Sequence, residues 1–256
     1  MVSGLSILFV TALAIQNPPA QTANGFRAPA ANKTTPDPAK ALTPEVRGDI
    51  FVARKMYREA IEVYQTGPKD SAVLANKLGI AYHQLLDLSD AKKNYERAIK
   101  LNSSYPEAVN NLGTVFYAQK SYRRAIAQYR KALRLTPDSA SILSNLGTAY
   151  FARKNYTEAF AMYQKALEID PQVFERRSTQ GVLLQERSVE ERAKFHYYMA
   201  KTYAKAGMVD LALLYIRKAL EEGFKEREKF TKEPEFTTLK DNPEFKQLIA
   251  VEQKVL

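Results

Sequence analysis

Residues 110–137 read NNLGTVFYAQKSYRRAIAQYRKALRLTP, and residues 144–171 read SNLGTAYFARKNYTEAFAMYQKALEIDP. Laid over each other, they align Leu112 with Leu146, Gly113 with Gly147, Ala125 with Ala159, Tyr129 with Tyr163, Ala132 with Ala166 and Pro137 with Pro171. Each offset is 34 residues. A fixed period of that length marks a solenoid of stacked units, none of which buries its apolar face alone.

The frame extends in both directions. Ala75, Leu78, Gly79, Tyr82, Ala91, Tyr95 and Ala98 occupy the same places one period upstream. Before them, Gly48, Phe51, Tyr57, Ala60 and Tyr64 keep the internal spacings in a shortened unit that ends in Gly67-Pro68. Downstream, after an interruption, Met199, Ala200, Tyr203, Ala212, Ile216 and Ala219 hold the pattern a fifth time. The residues resemble the tetratricopeptide repeat, whose signature is a large residue, Leu-Gly and Tyr on a first helix, then Ala and Phe/Tyr, then Ala and Pro on a second. Departures from it fall in the first two units, where Arg47 stands for the Leu and Ser103 for the closing Pro. The resemblance implies an all-α, right-handed solenoid of helix-turn-helix units with capping helices at its C-terminus, and within the family the chain resembles bacterial exported proteins.

Small residues are needed where two helices approach closely, so the glycine of each first helix is expected to sit against an alanine of the second. Leu112, Phe116 and Tyr129 fill the space around that contact. Each such side chain stabilises the fold by roughly 1.5–3 kcal/mol when buried. Pro137 and Pro171 lack an N–H and end the second helices.

The predicted organisation runs as follows. Residues 1–14 read as a signal peptide: Gly4 to Ile15 is apolar, Ala12-Leu13-Ala14 has the small-x-small pattern of a cleavage site, and the run is shorter than the roughly 20 residues that span a bilayer. Residues 15–40, rich in Pro, Ala, Thr, Asn and Gln, read as a disordered linker. The array covers 41–224, in units at 41–71, 72–105, 106–139, 140–173 and 193–224, with an insertion at 174–192. Ser188 with Glu191 forms a capping box, so the helix of the fifth unit is expected to begin near Val189. Residues 225–256 form a C-terminal cap in which Glu233-Pro234-Glu235-Phe236 and Asn242-Pro243-Glu244-Phe245 each open a helix.

Composition removes several chemistries. The chain of 256 residues has no cysteine and two histidines, which excludes thiolate metal sites, a cysteine nucleophile and an acylated-cysteine anchor. Phosphate loops, GxSxG elbows and HExxH motifs do not occur. The reading is therefore a protein that is not an enzyme and takes no cofactor and no metal. His83 is expected on the exposed inner face and His196 at a semi-buried core position. With the signal, the expected location is periplasmic or secreted; without it, the cytoplasm.

The resemblance places the second, fifth, sixth, ninth and twelfth positions of each first helix in the concave groove. In this sequence these are ladders one period apart: Lys77, Asn111 and Asn145; Asn76, Asn110 and Ser144; Ile80, Thr114 and Thr148; His83, Tyr117 and Phe151. Amides bond to a peptide backbone and rings stack on its side chains, so the expected partner is a protein or peptide segment. The paired Lys and Arg of a carboxylate-clamp cochaperone are missing around Asn111. Net charge is +10, and Lys120, Arg123, Arg124, Arg130, Lys131 and Arg134 form a basic stretch without acids. Placed on the outer wall, it supports a second reading, contact with an anionic surface or polyanion. Nucleic acid does not fit an exported chain, and the mature protein is expected to have no membrane span.

Overall fold

The structure, a computed structural model, describes residues 42–175 and 188–250. The signal peptide and linker lie outside the described residues, as do most of the insertion and the last residues of the cap. Five antiparallel helix pairs follow one another: α1 (Pro44–Ala53) with α2 (Tyr57–Gln65), α3 (Ala72–Gln84) with α4 (Leu88–Leu101), α5 (Pro106–Ala118) with α6 (Tyr122–Leu135), α7 (Ala140–Ala152) with α8 (Tyr156–Ile169), and α9 (Val189–Lys205) with α10 (Val209–Glu221). Each helix packs on the next, and α3 touches α5 as α5 touches α7. That contact puts the first helices of the pairs on the inside of the curve. The architecture is an all-α solenoid, with no strand among the described residues.

Local chemistry explains the helix starts. Thr43 caps α1 by accepting from the Val46 N–H at 3.3 Å, and Pro44 occupies the first helical position, where its missing N–H costs nothing. Ser71 and Asp87 cap α3 and α4 in the same way. Ser188 accepts from Glu191 N–H at 3.2 Å, so α9 begins at Val189.

The glycines have a different partner from the one expected. A Cβ on Gly79 would lie 2.5 Å from the ring of Tyr95, on Gly113 2.7 Å from Tyr129, and on Gly147 2.6 Å from Tyr163. It is thus the tyrosine ring of the second helix, packed against the first, that requires glycine. Ala91, Ala125 and Ala159 are fully buried but are not what the glycines meet first. In the fifth unit Ala200 replaces the glycine and Ile216 the tyrosine, and both are wholly buried. A methyl gained on one helix is matched by a ring lost on the other, which keeps the packing dense.

The turn inside each unit is equally regular. Lys55, Leu86, Lys120 and Lys154 have φ of 61°, 61°, 57° and 63°, and Gly207 has 74° at the same place in the fifth unit. The next N–H reaches back to a carbonyl five residues earlier, as from Ser121 to Phe116 at 2.8 Å and from Asn155 to Tyr150 at 3.0 Å. This is a Schellman closure, which favours glycine in its left-handed residue. Lys154→Gly is therefore expected to raise stability by about 0.5–1 kcal/mol, the relief of left-handed strain exceeding the entropy that glycine adds to the unfolded chain. A melting temperature that stays level or falls would show that the lysine is not strained there.

The C-terminal segment plugs the open end. It comprises α11 (Lys229–Lys232), a 3-10 helix (Pro234–Leu239) and α12 (Pro243–Ala250). The first Pro-Glu-Phe thus opens a 3-10 helix and the second an α-helix. Phe224, Phe230, Phe236, Leu239 and Phe245 are all buried, and Tyr197 of α9 stacks on Phe224 with centroids 4.5 Å apart. Glu233 accepts from the Tyr197 hydroxyl and lies 2.9 Å from Lys201.

Candidate functional site

The inner face is built around a chain of side-chain amides. Asn145 of α7 donates to Asn110 Oδ1 of α5 at 3.1 Å, Asn110 donates to Asn111 at 3.3 Å, and Asn111 donates to Asn76 Oδ1 of α3 at 3.0 Å. Asn76 ends the chain by donating to the Tyr105 hydroxyl at 3.3 Å. The rungs between units join residues 35 apart, one more than the repeat period. Neighbouring helices are offset along their axes, so the amide met across the interface is the next residue of the following unit and not the equivalent one. The expected ladders thus interlock: Asn76 meets Asn111, and Asn110 meets Asn145. Asn76 is buried, whereas Asn110, Asn111 and Asn145 are half-buried.

Other expected groove positions serve the repeat itself. Thr114 accepts from the Tyr129 hydroxyl and Thr148 from that of Tyr163, both at 3.4 Å, while each threonine donates to the carbonyl four residues earlier. Ser144 and Thr148 are buried, Ile80 half-buried. In the first unit the same place holds Asp49, which accepts from the Tyr64 hydroxyl at 2.6 Å. Asp49 and Glu45 also bind Lys77, at 2.5 and 2.8 Å. Burial works to raise the Asp49 carboxyl, but the Lys77 and Tyr64 hydrogen bonds outweigh it and hold it below the usual range. Burial likewise opposes the charge on Lys77, and its two carboxylate partners hold its ammonium above the ordinary value. Lys77 is thereby committed to α1.

The expectation of exposed rings at Tyr117 and Phe151 is corrected. Phe151 is 3% exposed, enclosed by Tyr156, Phe195 and Tyr198 with centroids 5.1, 5.4 and 6.1 Å away. Tyr117 is 7% exposed and lies 5.3 Å from Tyr122 of its own unit. Phe151 is turned into the packing between consecutive units and Tyr117 is buried beside Tyr122, so neither ring has a free face of the kind a ligand stacks on. His83 is half-buried, not exposed, and burial lowers its pKa. His196 is buried, with Nδ1 2.8 Å from Glu222, which also pairs with Arg192.

The basic stretch divides in two. Arg130 donates to the Tyr150 hydroxyl and lies over its ring, which draws it into the packing of α6 on α7, and Lys131 is half-buried. Arg134 is exposed at the far end of α6. Lys120, Arg123 and Arg124 gather instead at the turn, with Ser121, Tyr122 and Arg153 of the following unit, around a recess of about 510 Å³. Tyr105, Asp49 and Arg153 were not expected at the site: Tyr105 and Arg153 lie outside the groove positions of the repeat signature, and Asp49 occupies one of them in the irregular first unit. Among the described residues no group of three or more His, Asp and Glu could hold a metal, and no helix is long and apolar enough to cross a membrane.

Family models for the tetratricopeptide repeat match residues 79–120, 113–152 and 140–173, which hold three of the four consecutive Gly–Tyr contacts. Residues 79–173 carry tetratricopeptide repeats. Among solved structures with a similar course, MamA is 22% identical over 70% of this chain and 95% of its own, with a TM-score of 0.48. MamA from Desulfovibrio magneticus RS-1 is 19% identical over 70% and 92%, with a TM-score of 0.49. The second tetratricopeptide domain of human RPAP3, solved with an HSP70 peptide, is 25% identical over 42% and 92%, with a TM-score of 0.41. A comparison with curated proteins finds no match.

Proposed function

We propose that this repeat array is a non-catalytic scaffold of the cell envelope that holds an extended protein segment along its inner face. The amide chain from Asn145 to Asn76 carries the reading. A carboxamide has two N–H donors and an oxygen with two lone pairs. Asn110 and Asn111 each spend one donor and one lone pair within the chain, so each retains one of both for a ligand. A donor beside an acceptor is the complement of a peptide group, and the mutual bonds hold the amides in place before the ligand arrives, which reduces the ordering cost of binding. Placement in the envelope rests on the apolar run at Gly4–Ile15 and the small residues that follow.

The test is a screen of unstructured peptides of about 15 residues against the wild type and the Asn111→Ala/Asn145→Ala variant. Peptides retained at moderate salt should bind the variant about tenfold more weakly, the loss of about 1.4 kcal/mol of hydrogen bonding. Equal retention by both proteins would remove the groove from the function. Export is read separately, by fusing residues 1–40 to a reporter that is active only in an oxidising compartment; an inactive fusion would place the scaffold in the cytoplasm.

A further inference from the structure

The recess at the turn of the third unit is lined by Lys120, Ser121, Tyr122, Arg123, Arg124 and Arg153, with no acid among them. None of the four cations makes an ion pair among the described residues. Elsewhere in the array the second helix of each unit carries an acid in its first turn: Glu59, Asp90, Glu158 and Asp210. An acid there complements the partial positive charge of the helix start. In α6 the same turn carries Arg123 and Arg124, and Ser121 makes no capping bond with its hydroxyl. Like charges are thus brought together where the helix field already opposes them, and a bound anion would relieve both terms.

Two features make this a shaped site and not a stretch of solvated cations. The Arg124 guanidinium is held over the ring of Phe116, 5.8 Å from its centroid, and Tyr122 is fixed against Tyr117. Arg153 arrives from the turn of the fourth unit, so the four charges converge only when the two units are stacked. Guanidinium groups bind oxyanions through paired N–H bonds, and three of them around one recess suit a group with several charged oxygens. We propose that the recess binds a phosphorylated ligand, with Arg123, Arg124, Arg153 and Lys120 around its phosphate oxygens. The site stands apart from the amide chain of the inner face, and either can fail without the other.

Binding of inorganic pyrophosphate to the full chain, measured by calorimetry, tests the proposal beside Arg123→Gln/Arg153→Gln and the control Arg134→Gln. The wild type and the control should bind alike, and the double variant at least tenfold more weakly, with all three melting within a few degrees of one another in the absence of ligand. Vesicles of phosphatidylcholine with and without phosphatidic acid separate the sources of the phosphate. Capture by the acidic vesicles that the same double variant abolishes, together with pyrophosphate binding, identifies a lipid headgroup; pyrophosphate binding without capture identifies a soluble phosphoester. Pyrophosphate affinity equal in wild type and double variant, or vesicle capture without any pyrophosphate binding, would overturn the site.

Discussion

Gly147→Ala is expected to destabilise the array by about 1–3 kcal/mol, even though alanine is the better helix former. The added methyl would sit 2.6 and 2.7 Å from two carbons of the Tyr163 ring and 3.2 Å from the Ala159 carbonyl. The ring has nowhere to go. Tyr163 is fully buried, its hydroxyl is tied to Thr148, and Phe174 and Phe195 stand edge-on to it at 5.5 and 6.1 Å. Tyr163→Ile alone should cost about 2–4 kcal/mol, through the cavity that the ring leaves.

The fifth unit supplies the compensation, since Ala200 and Ile216 occupy these two places there and are both wholly buried. Gly147→Ala with Tyr163→Ile should therefore be more stable than the sum of the single changes by about 1–3 kcal/mol, a coupling that chemical denaturation midpoints of the four proteins measure. Additivity within about 0.5 kcal/mol would mean that glycine and ring are not partners.

That pairing also shows where reading the sequence stops. The period, the five helix pairs and the start of α9 were legible, because spacing reports which residues share a face. Spacing does not report which residue on the opposite helix fills the gap, and so Gly147 was expected against an alanine of α8 when its first contact is with Tyr163. The inner-face amides were legible as a set for the same reason. Their connections were not, because a shift of one residue between adjacent helices turns parallel ladders into the interlocked chain Asn76–Asn111–Asn110–Asn145. Lys77 was read as a groove cation because the acids that claim it, Glu45 and Asp49, belong to the unit before it. Arg153 lies 19 residues beyond Arg134, the end of the basic stretch, and only stacking of the two units brings it to Lys120 and Arg123.

Phe151→Ala carries the other large effect, an expected loss of about 3–5 kcal/mol. Had the ring faced the groove, the substitution would be nearly silent in stability and visible only in binding. Instead Phe151 meets Tyr156 of its own unit and, across the interface, Phe195 and Tyr198 of α9. The repeat register breaks between the fourth and fifth units, so this aromatic contact does the work that regular stacking does elsewhere in the array. In a solenoid each unit is stabilised by its neighbours, and weakening one interface separates the unfolding of the parts on either side. Phe151→Ala should therefore let α9, α10 and the C-terminal plug unfold before α1–α8, seen as an early loss of hydrogen-exchange protection beyond residue 188 while residues 106–135 stay protected. A melting temperature within about two degrees of the wild type, with uniform protection, would return Phe151 to the groove and make it, alongside the amides, a contact for the bound segment.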